Sequence, residues 1–287
     1  MGSQKKKIAV VTDSTAYLPP EVQERLDIPV IPLNVVWGEE VLKDGEDITP
    51  AVFYQRLRAA STMPTTSQPS AGEFVDFFRR VAEEKNTDTI LGLFISADLS
   101  GTVASAEAAR NLLDDLNIVV VDSRSTSMGL GFQAMAAAEV AQAGGSIEEA
   151  LQAVETVRYR LHVLFVVDTL EFLHRGGRIG GAKRFLGTAL KIKPILELEN
   201  GRIESVEQVR TKKKAVARLV QIAQERKGDR PVPQAAVVHA NASEDCRRLQ
   251  EQIQEALSPQ EIYITEVSPV IGTHTGPGTL GVAFYTL

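Results

Sequence analysis

The 287-residue chain has one cysteine, one tryptophan and four histidines, and each scarcity removes a class of chemistry. Cys246 alone can close no internal disulfide and no cysteine zinc cluster, so a reducing cytoplasm is the expected setting. The histidines at 162, 174, 239 and 274 fall at no metal-ligand spacing, and no metal is expected. Cations are also short: Lys and Arg number 31 against 37 Asp and Glu, a net charge of −6. Nucleic-acid binding wants a basic face, so no nucleic-acid partner is expected. No apolar run approaches the ~20 residues of a membrane span, which argues against stable membrane insertion. Residues 1–7 are charged and lead straight into a strand pattern, so they read as neither signal peptide nor transit sequence. GxxxxGK[ST], GxSxG and HExxH are all absent. Gly276-Pro-Gly-Thr-Leu-Gly281 matches GxGxxG but lacks a βαβ context, so it reads as a loop rather than a dinucleotide site.

What is present is a run of short apolar strands alternating with helices. Residues 8–15 form a strand pattern that ends in Asp13, Ser14 and Thr15, and Pro19-Pro20 opens a short helix. Residues 28–37 are extended but carry Pro29 and Pro32, which places them at an edge. Thr49-Pro50 starts a helix with Thr49 as N-cap. Residues 61–70, rich in hydroxyls and holding two prolines, are expected to be irregular. Ser70 and Glu73 then form a capping box. Residues 90–95 and 118–122 are buried strands, with a helix starting near Ser100 or Thr102 and a helix of small apolar residues over 127–143. Alternation of this kind predicts a parallel, doubly wound sheet with ligands at the carboxyl ends of its strands. From residue 161 the pattern changes. A strand at 163–167, a glycine-dense loop, a hairpin with an Asn200-Gly201 turn and two further strands around a helix predict a mixed sheet. The expected organisation is two α/β domains, 1–160 with a parallel sheet and 161–287 with a mixed sheet.

Several loops carry chemistry. The turn Ser96-Ala97-Asp98-Leu99-Ser100-Gly101-Thr102 brings hydroxyls and backbone N–H groups to a helix N-terminus, with Glu107 favouring its positive end. This reads either as a plain helix cap or as one wall of an anion site. The Thr65-Thr66-Ser67 loop reads as a surface turn or as part of the same site. Glycine-flanked His274 is a turn residue or a ligand, and the loop holding Arg175 and Arg178 is a flexible crossover or a source of cations. No carboxylate pair, no base–nucleophile pair and no metal cluster accompanies these groups, so the set suits holding an anion rather than transforming it. Arg210-Thr211-Lys212-Lys213-Lys214 places three lysines at a helix start, where the macrodipole disfavours them. They read as a solvated helix end or as a docking surface, with Arg210, Lys212 and Lys213 as its contacts.

In combination, Thr12-Asp-Ser-Thr-Ala, Pro64-Thr-Thr-Ser-Gln-Pro, Ile95-Ser-x-x-Leu-Ser-Gly-Thr, Gly177-Arg-Ile, Arg210-Thr-Lys-Lys and His274 before glycine-rich residues resemble the DegV family. The resemblance spans essentially the whole chain. It implies a two-domain α/β protein that encloses a long-chain fatty acid, palmitate- or oleate-like, in a tunnel between its domains. It further implies a non-catalytic subunit without cofactor, which presents the acyl carboxylate to a separate fatty acid kinase for phospholipid synthesis. By motif, the carboxylate would be held by Thr65, Thr66, Ser67, Ser96, Ala97, Ser100 and His274, with Arg178, Asp13 and Ser14 in support. Residues 128–138, 170–173 and 185–192 are candidate apolar walls. Where family members read Ser-Ser-Gly this chain has Ser96-Ala97-Asp98, so a hydroxyl is lost and an acid gained. Burying about 15 methylenes at ~0.8 kcal/mol each gives roughly 12 kcal/mol before binding costs. The alternative from the residues alone is an enzyme or sensor for a small anionic metabolite that uses the Ser/Thr cluster as its anion pocket.

Overall fold

The structure, a computed structural model, describes residues 7–187 and 192–287. In chain order it runs β1 (Ile8–Asp13), a 3-10 turn (Ser14–Ala16), α1 (Pro20–Leu26), β2 (Val30–Ile31), β3 (Asn34–Trp37), β4 (Glu40–Lys43) and α2 (Pro50–Ala59). Next come β5 (Thr65–Ser67), α3 (Ala71–Lys85), β6 (Thr89–Phe94), α4 (Thr102–Arg110), β7 (Asn117–Asp122), α5 (Met128–Gln142) and α6 (Ile147–Tyr159). The remainder is β8 (Leu161–Val166), α7 (Glu171–Arg175), a 3-10 segment (Gly180–Phe185), β9 (Lys193–Glu199), β10 (Arg202–Val209), α8 (Lys212–Lys227), β11 (Gln234–His239), α9 (Ser243–Leu257), β12 (Glu261–Glu266), α10 (Pro269–Thr275) and β13 (Leu280–Tyr285).

The chain divides into two compact units, one of residues up to Leu33 plus Ser67–Tyr159, the other of Asn34–Thr66 plus Arg160–Leu287. The first holds a parallel sheet in the order β2-β1-β6-β7. Side chains alternate across a strand, so Ala9, Val11, Ile90, Phe94 and Ile118 share one face with Phe74, Phe77 and Phe78 of α3 and Ala106 and Ala109 of α4. Helix α5 packs against β1 and β6 and supplies nothing to that cluster, so it covers the other face. It is apolar on every side because it is buried on nearly every side, from Met128 through Ala138.

The second unit has a six-stranded mixed sheet, β10-β9-β8-β13-β11-β12, in which only β11 and β12 run parallel. Helices α8 and α9 bury Leu219, Ile222, Leu249 and Ile253 against Leu164, Ile195, Val237 and Val282 on one face. The β9–β10 turn places both Asn200 and Gly201 at positive φ, 49° and 86°, as a two-residue hairpin with this sequence requires. A small third sheet, β4-β3-β5, lies in the segment between the two halves of the parallel unit.

A single cut at residue 160/161 would keep segment 34–66 with the N-terminal half; the structure counts it with the C-terminal unit. The cause is packing. Phe53 and Tyr54 of α2 are fully buried, Gly272 of α10 lies against both rings, and the Tyr54 hydroxyl donates to the Val267 carbonyl at 3.2 Å. Residues 61–70 are not wholly irregular either, since Thr65–Ser67 adds a short strand beside β3. Thr49 precedes α2 as expected but makes no side-chain cap. Ser70 and Glu73 do form the full capping box. Among the described residues, no helix is long and apolar enough to cross a membrane.

Candidate functional site: two clusters of hydroxyls and one buried imidazole

In the parallel unit the site residues gather where β1, β6 and β7 end. Asp13 is completely buried and accepts from Thr15 N at 2.9 Å, Thr15 Oγ1 at 2.6 Å and Ile95 N at 2.7 Å. Burial pushes its carboxyl above the ordinary carboxylate value, and these three hydrogen bonds pull the other way. Asp13 thus fixes the end of β6 and with it Ser96. The Ser14 hydroxyl accepts from Leu33 N at 3.1 Å and ties down the end of the β2 connection. Both supporting residues hold backbone.

Ser96 is fully buried while Ala97 and Asp98 are exposed. The turn does not offer the free backbone donors its sequence suggests. Ser96 N donates to Ser125 O at 2.8 Å, Ala97 N to the Asp122 carboxylate at 3.2 Å, and Leu99 N and Ser100 N both to Ser96 O at 3.0 Å. The Ala97 N–H therefore already has an acceptor inside the fold. The helix cap differs as well: Gly101 occupies the N-cap of α4 with no side-chain cap, and the Ser100 and Thr102 hydroxyls lie 2.8 Å from each other. Glu107 sits in the sixth position of α4, paired with Arg110 at 2.7 Å, and not in the first turn.

A network that the motif reading missed stands behind this turn. Gln133 of α5, completely buried, donates to Ser123 O at 3.1 Å and Gly129 O at 2.9 Å and faces Arg158 Nε at 3.3 Å. Arg158 also donates to Asp122 O at 3.0 Å. These bonds hold the loop of Ser123, Arg124 and Ser125, which receives Ser96 N. The available signal was a long amide, Gln133, in the middle of the apolar stretch 128–138 of that helix.

In the mixed-sheet unit the central group is His274. Its sequence surroundings suggest a glycine-rich turn, yet it lies within α10 and is buried, because Pro269 starts a helix that Gly276, at φ 75°, ends. Its Nε2 is 2.8 Å from Thr66 Oγ1, and its Nδ1 has no hydrogen-bond partner among the described residues. Burial pushes the imidazole down to about 4, and the nearby Arg178 guanidinium pushes in the same direction, so the ring is neutral at neutral pH. Arg178 donates to Gly176 O at 2.6 Å, and a Cβ on Gly176 would overlap the ring at Nδ1. Thr66, His274, Arg178 and Gly176 thus form one connected cluster. Thr65 is exposed on β5, and Ser67 is half-buried at its end.

The lysines at the start of α8 divide. Lys212 is engaged within the fold: it donates to Gly278 O at 2.8 Å and lies 3.6 Å from Asp168 and 3.5 Å from Asp245. Those acids offset the macrodipole cost that made the run conspicuous. Arg210 and Lys213 are exposed. Of the candidate apolar walls, residues 128–138 and Leu173 are buried or nearly so, whereas residues 188–191 of the stretch 185–192 lie outside the described residues.

The DegV family profile matches residues 7–287. A DegV domain-containing protein of Streptomyces coelicolor is 44% identical over 279 residues, covering 96% of this chain and 98% of its own. A DegV family protein from Thermus thermophilus, whose structure is described by its fatty acid binding, superposes with a TM-score of 0.92 at 38% identity over 98% of this chain and 100% of its own. DegV of Bacillus subtilis, described as a fatty acid binding protein, gives 0.89 at 36% identity over the same shares of the two chains. With its two-unit α/β fold and full-length agreement in sequence, the chain belongs to the DegV family.

Proposed function

We propose that this protein binds a long-chain fatty acid and serves as a non-catalytic carrier, presenting the acyl carboxylate to a separate fatty acid kinase in the cytoplasm for phospholipid synthesis. The observation that carries the reading is the Thr66–His274 pair: a buried, neutral imidazole 2.8 Å from a hydroxyl, with Arg178 beside it. An anion held here meets hydrogen-bond donors of fixed direction. His274 is poorly suited to act as a general base at neutral pH, because its basicity is pushed down to about 4. The fatty acid binding described for the Thermus thermophilus and Bacillus subtilis relatives supports the acyl chain as the rest of the ligand.

The groups proposed to receive the carboxylate are Thr65, Thr66, Ser67, Ser96, Ser100 and His274. Burial, with Arg178 pushing the same way, keeps the imidazole neutral, and Asp13 and Ser14 hold the backbone. Arg210 and Lys213 are proposed as kinase contacts; Lys212 is left to its internal role.

The test is direct. The purified protein is denatured, extracted with organic solvent and analysed by mass spectrometry, then titrated with oleate and palmitate. A co-purified acyl chain and saturable binding are expected. Their absence, with binding of small anions instead, would transfer the protein to the small-metabolite reading. Thr66→Val is expected to weaken oleate binding roughly tenfold, the equivalent of about 1.4 kcal/mol, with the thermal midpoint nearly unchanged. Acyl phosphate formed by an added fatty acid kinase and ATP is the readout of presentation.

A further inference from the structure

Two sequence features stay outside the site described above: the lysine run at the start of α8 and the segment Gly276-Pro-Gly-Thr-Leu-Gly281. The structure brings them together. Lys212 is the first residue of α8, where the macrodipole disfavours a cation, and Thr211 caps the helix by accepting from Lys214 N at 3.3 Å. The Lys212 side chain is half-buried. Its ammonium donates to Gly278 O at 2.8 Å, with the Asp245 and Asp168 carboxylates at 3.5 Å and 3.6 Å.

Two of these partners belong to the two chains that carry the His274 cluster. Gly278 lies four residues after His274, on the turn from α10 into β13. Asp168 follows β8 and begins the stretch that runs through α7 to Gly176 and Arg178. The glycines permit this approach: at φ 85° a Cβ on Gly278 would overlap the Asp168 carboxylate and lie 3.3 Å from Lys212 Nζ, and one on Gly276 would overlap the Phe172 ring of α7. Each chain has a second anchor. Gly278 N donates to Ala240 O at 2.8 Å, and Lys193 donates to both the carbonyl and the carboxylate of Asp168 at 2.9 Å. Lys212 spans the two. It does so from a rigid base, since α8 packs on β8 and buries Leu219 and Ile222 in the core.

We propose that Lys212 is a positioning residue for the His274 cluster: by joining the Gly278 carbonyl to the Asp168 carboxylate it sets the spacing between α10, which carries the imidazole, and the α7–Arg178 segment. The ring lies against Gly176, whose carbonyl accepts from Arg178, so a slip of either chain changes its distance to Thr66 and to the guanidinium. Binding constellations tolerate displacements of only about 0.5 Å. The cation that sits badly at a helix start is thus placed there for what it holds.

The experiment titrates the histidine ring resonances by NMR, without ligand, in the wild type, Lys212→Met and Lys212→Arg. His162 is the internal control: it is also pushed down to about 4, but its surroundings are Phe284, Arg226 and Arg230. In Lys212→Met the thermal midpoint is expected to fall by only a few degrees, because the lost ion pairs are half exposed. Loosening His274 from its burial and from Arg178 relieves both causes that hold it low, so its midpoint is expected to rise by about one pH unit or more while His162 stays. Lys212→Arg, which can donate to the same carbonyl and carboxylate, is expected to keep both rings at their wild-type values. Movement of both rings together, or of neither, would overturn the proposal. Asp168→Asn keeps the size and drops the charge facing Lys212; it is expected to act on His274 in the same direction, and it decides the question if Lys212→Met does not fold. A second arm measures oleate by displacement of a fluorescent fatty acid, with a loss of roughly fivefold or more expected for Lys212→Met and less than about twofold for Lys212→Arg. Only this arm rests on the acyl reading above. If the wild type takes up no oleate, that reading falls and the ring titration still decides; if it does, an unchanged affinity in Lys212→Met overturns the role of Lys212.

Discussion

Gly176 and Gly177 are adjacent, yet they are glycine for different reasons, and the difference isolates what His274 needs. Gly177 has φ 72° and open space where a Cβ would go, so a side chain there costs backbone strain alone, about 1–2 kcal/mol. Gly176 has φ −73°, which any residue adopts, but a Cβ would overlap the His274 ring at Nδ1. Gly176→Ala must therefore displace the imidazole from Thr66, whereas Gly177→Ala leaves the pair in place. The expected outcome is at least a tenfold loss of oleate affinity for Gly176→Ala and less than a twofold change for Gly177→Ala, measured by displacement of a fluorescent fatty acid. Both variants should lose about 1–3 kcal/mol of stability to urea. Equal affinities in the two variants would remove His274 from the binding cluster.

Helix α5 shows how one element can tie two loops together. Gln133 joins Ser123 and Gly129 to Arg158, and Arg158 reaches back to the end of β7 at Asp122. Gln133→Leu keeps the volume and removes those bonds, leaving the Arg158 guanidinium without its Gln133 acceptor in a half-buried place. The cost is expected near 1–3 kcal/mol in urea unfolding, with faster hydrogen exchange at Ser96 N, whose acceptor Ser125 O lies on the loosened loop. Such a network marks the limit of reading elements from sequence. Periodicity and caps made the strands of both sheets, the Ser70–Glu73 box and the Asn200-Gly201 hairpin legible, because each is decided by residues close in the chain. Helix α10 was hidden because Gly272, Gly276 and Gly278 read as a loop; Gly272 is there to let Phe53 and Tyr54 approach, a contact more than 200 residues away. The hydroxyls of Ser96, Ser100 and Thr66 could be singled out by motif, but where Ala97 N and Lys212 spend their hydrogen bonds could not. Those partners, Asp122, Gly278 and Asp168, are set by tertiary packing.

At the scale of the whole molecule the titratable groups are divided between the units, which makes the response to acid one-sided. All four histidines lie in the mixed-sheet unit. His162 and His274 are each pushed down to about 4 by burial first, then by guanidiniums: Arg226 and Arg230 beside His162, Arg178 beside His274. His239 is also lowered by burial, with Glu266 opposing. A histidine whose folded value lies below its unfolded value of about 6.5 is favoured neutral, so its contribution is complete above pH 6.5 and is lost as pH falls toward 4. The parallel unit has the opposite tendency at Asp13, whose raised carboxyl makes protonation easier in the folded state than in the unfolded one. Lowering the pH from 7.5 to 4.5 should therefore loosen the mixed-sheet unit first. Hydrogen exchange resolved by peptide is expected to show β8, β13 and α10 losing protection while β1 and β6 keep theirs. In the variant His162→Phe/His274→Gln the difference between the units should shrink, because two of the groups that take up protons on unfolding are gone. A loss of protection shared equally by both units in the wild type would place the acid sensitivity outside these histidines.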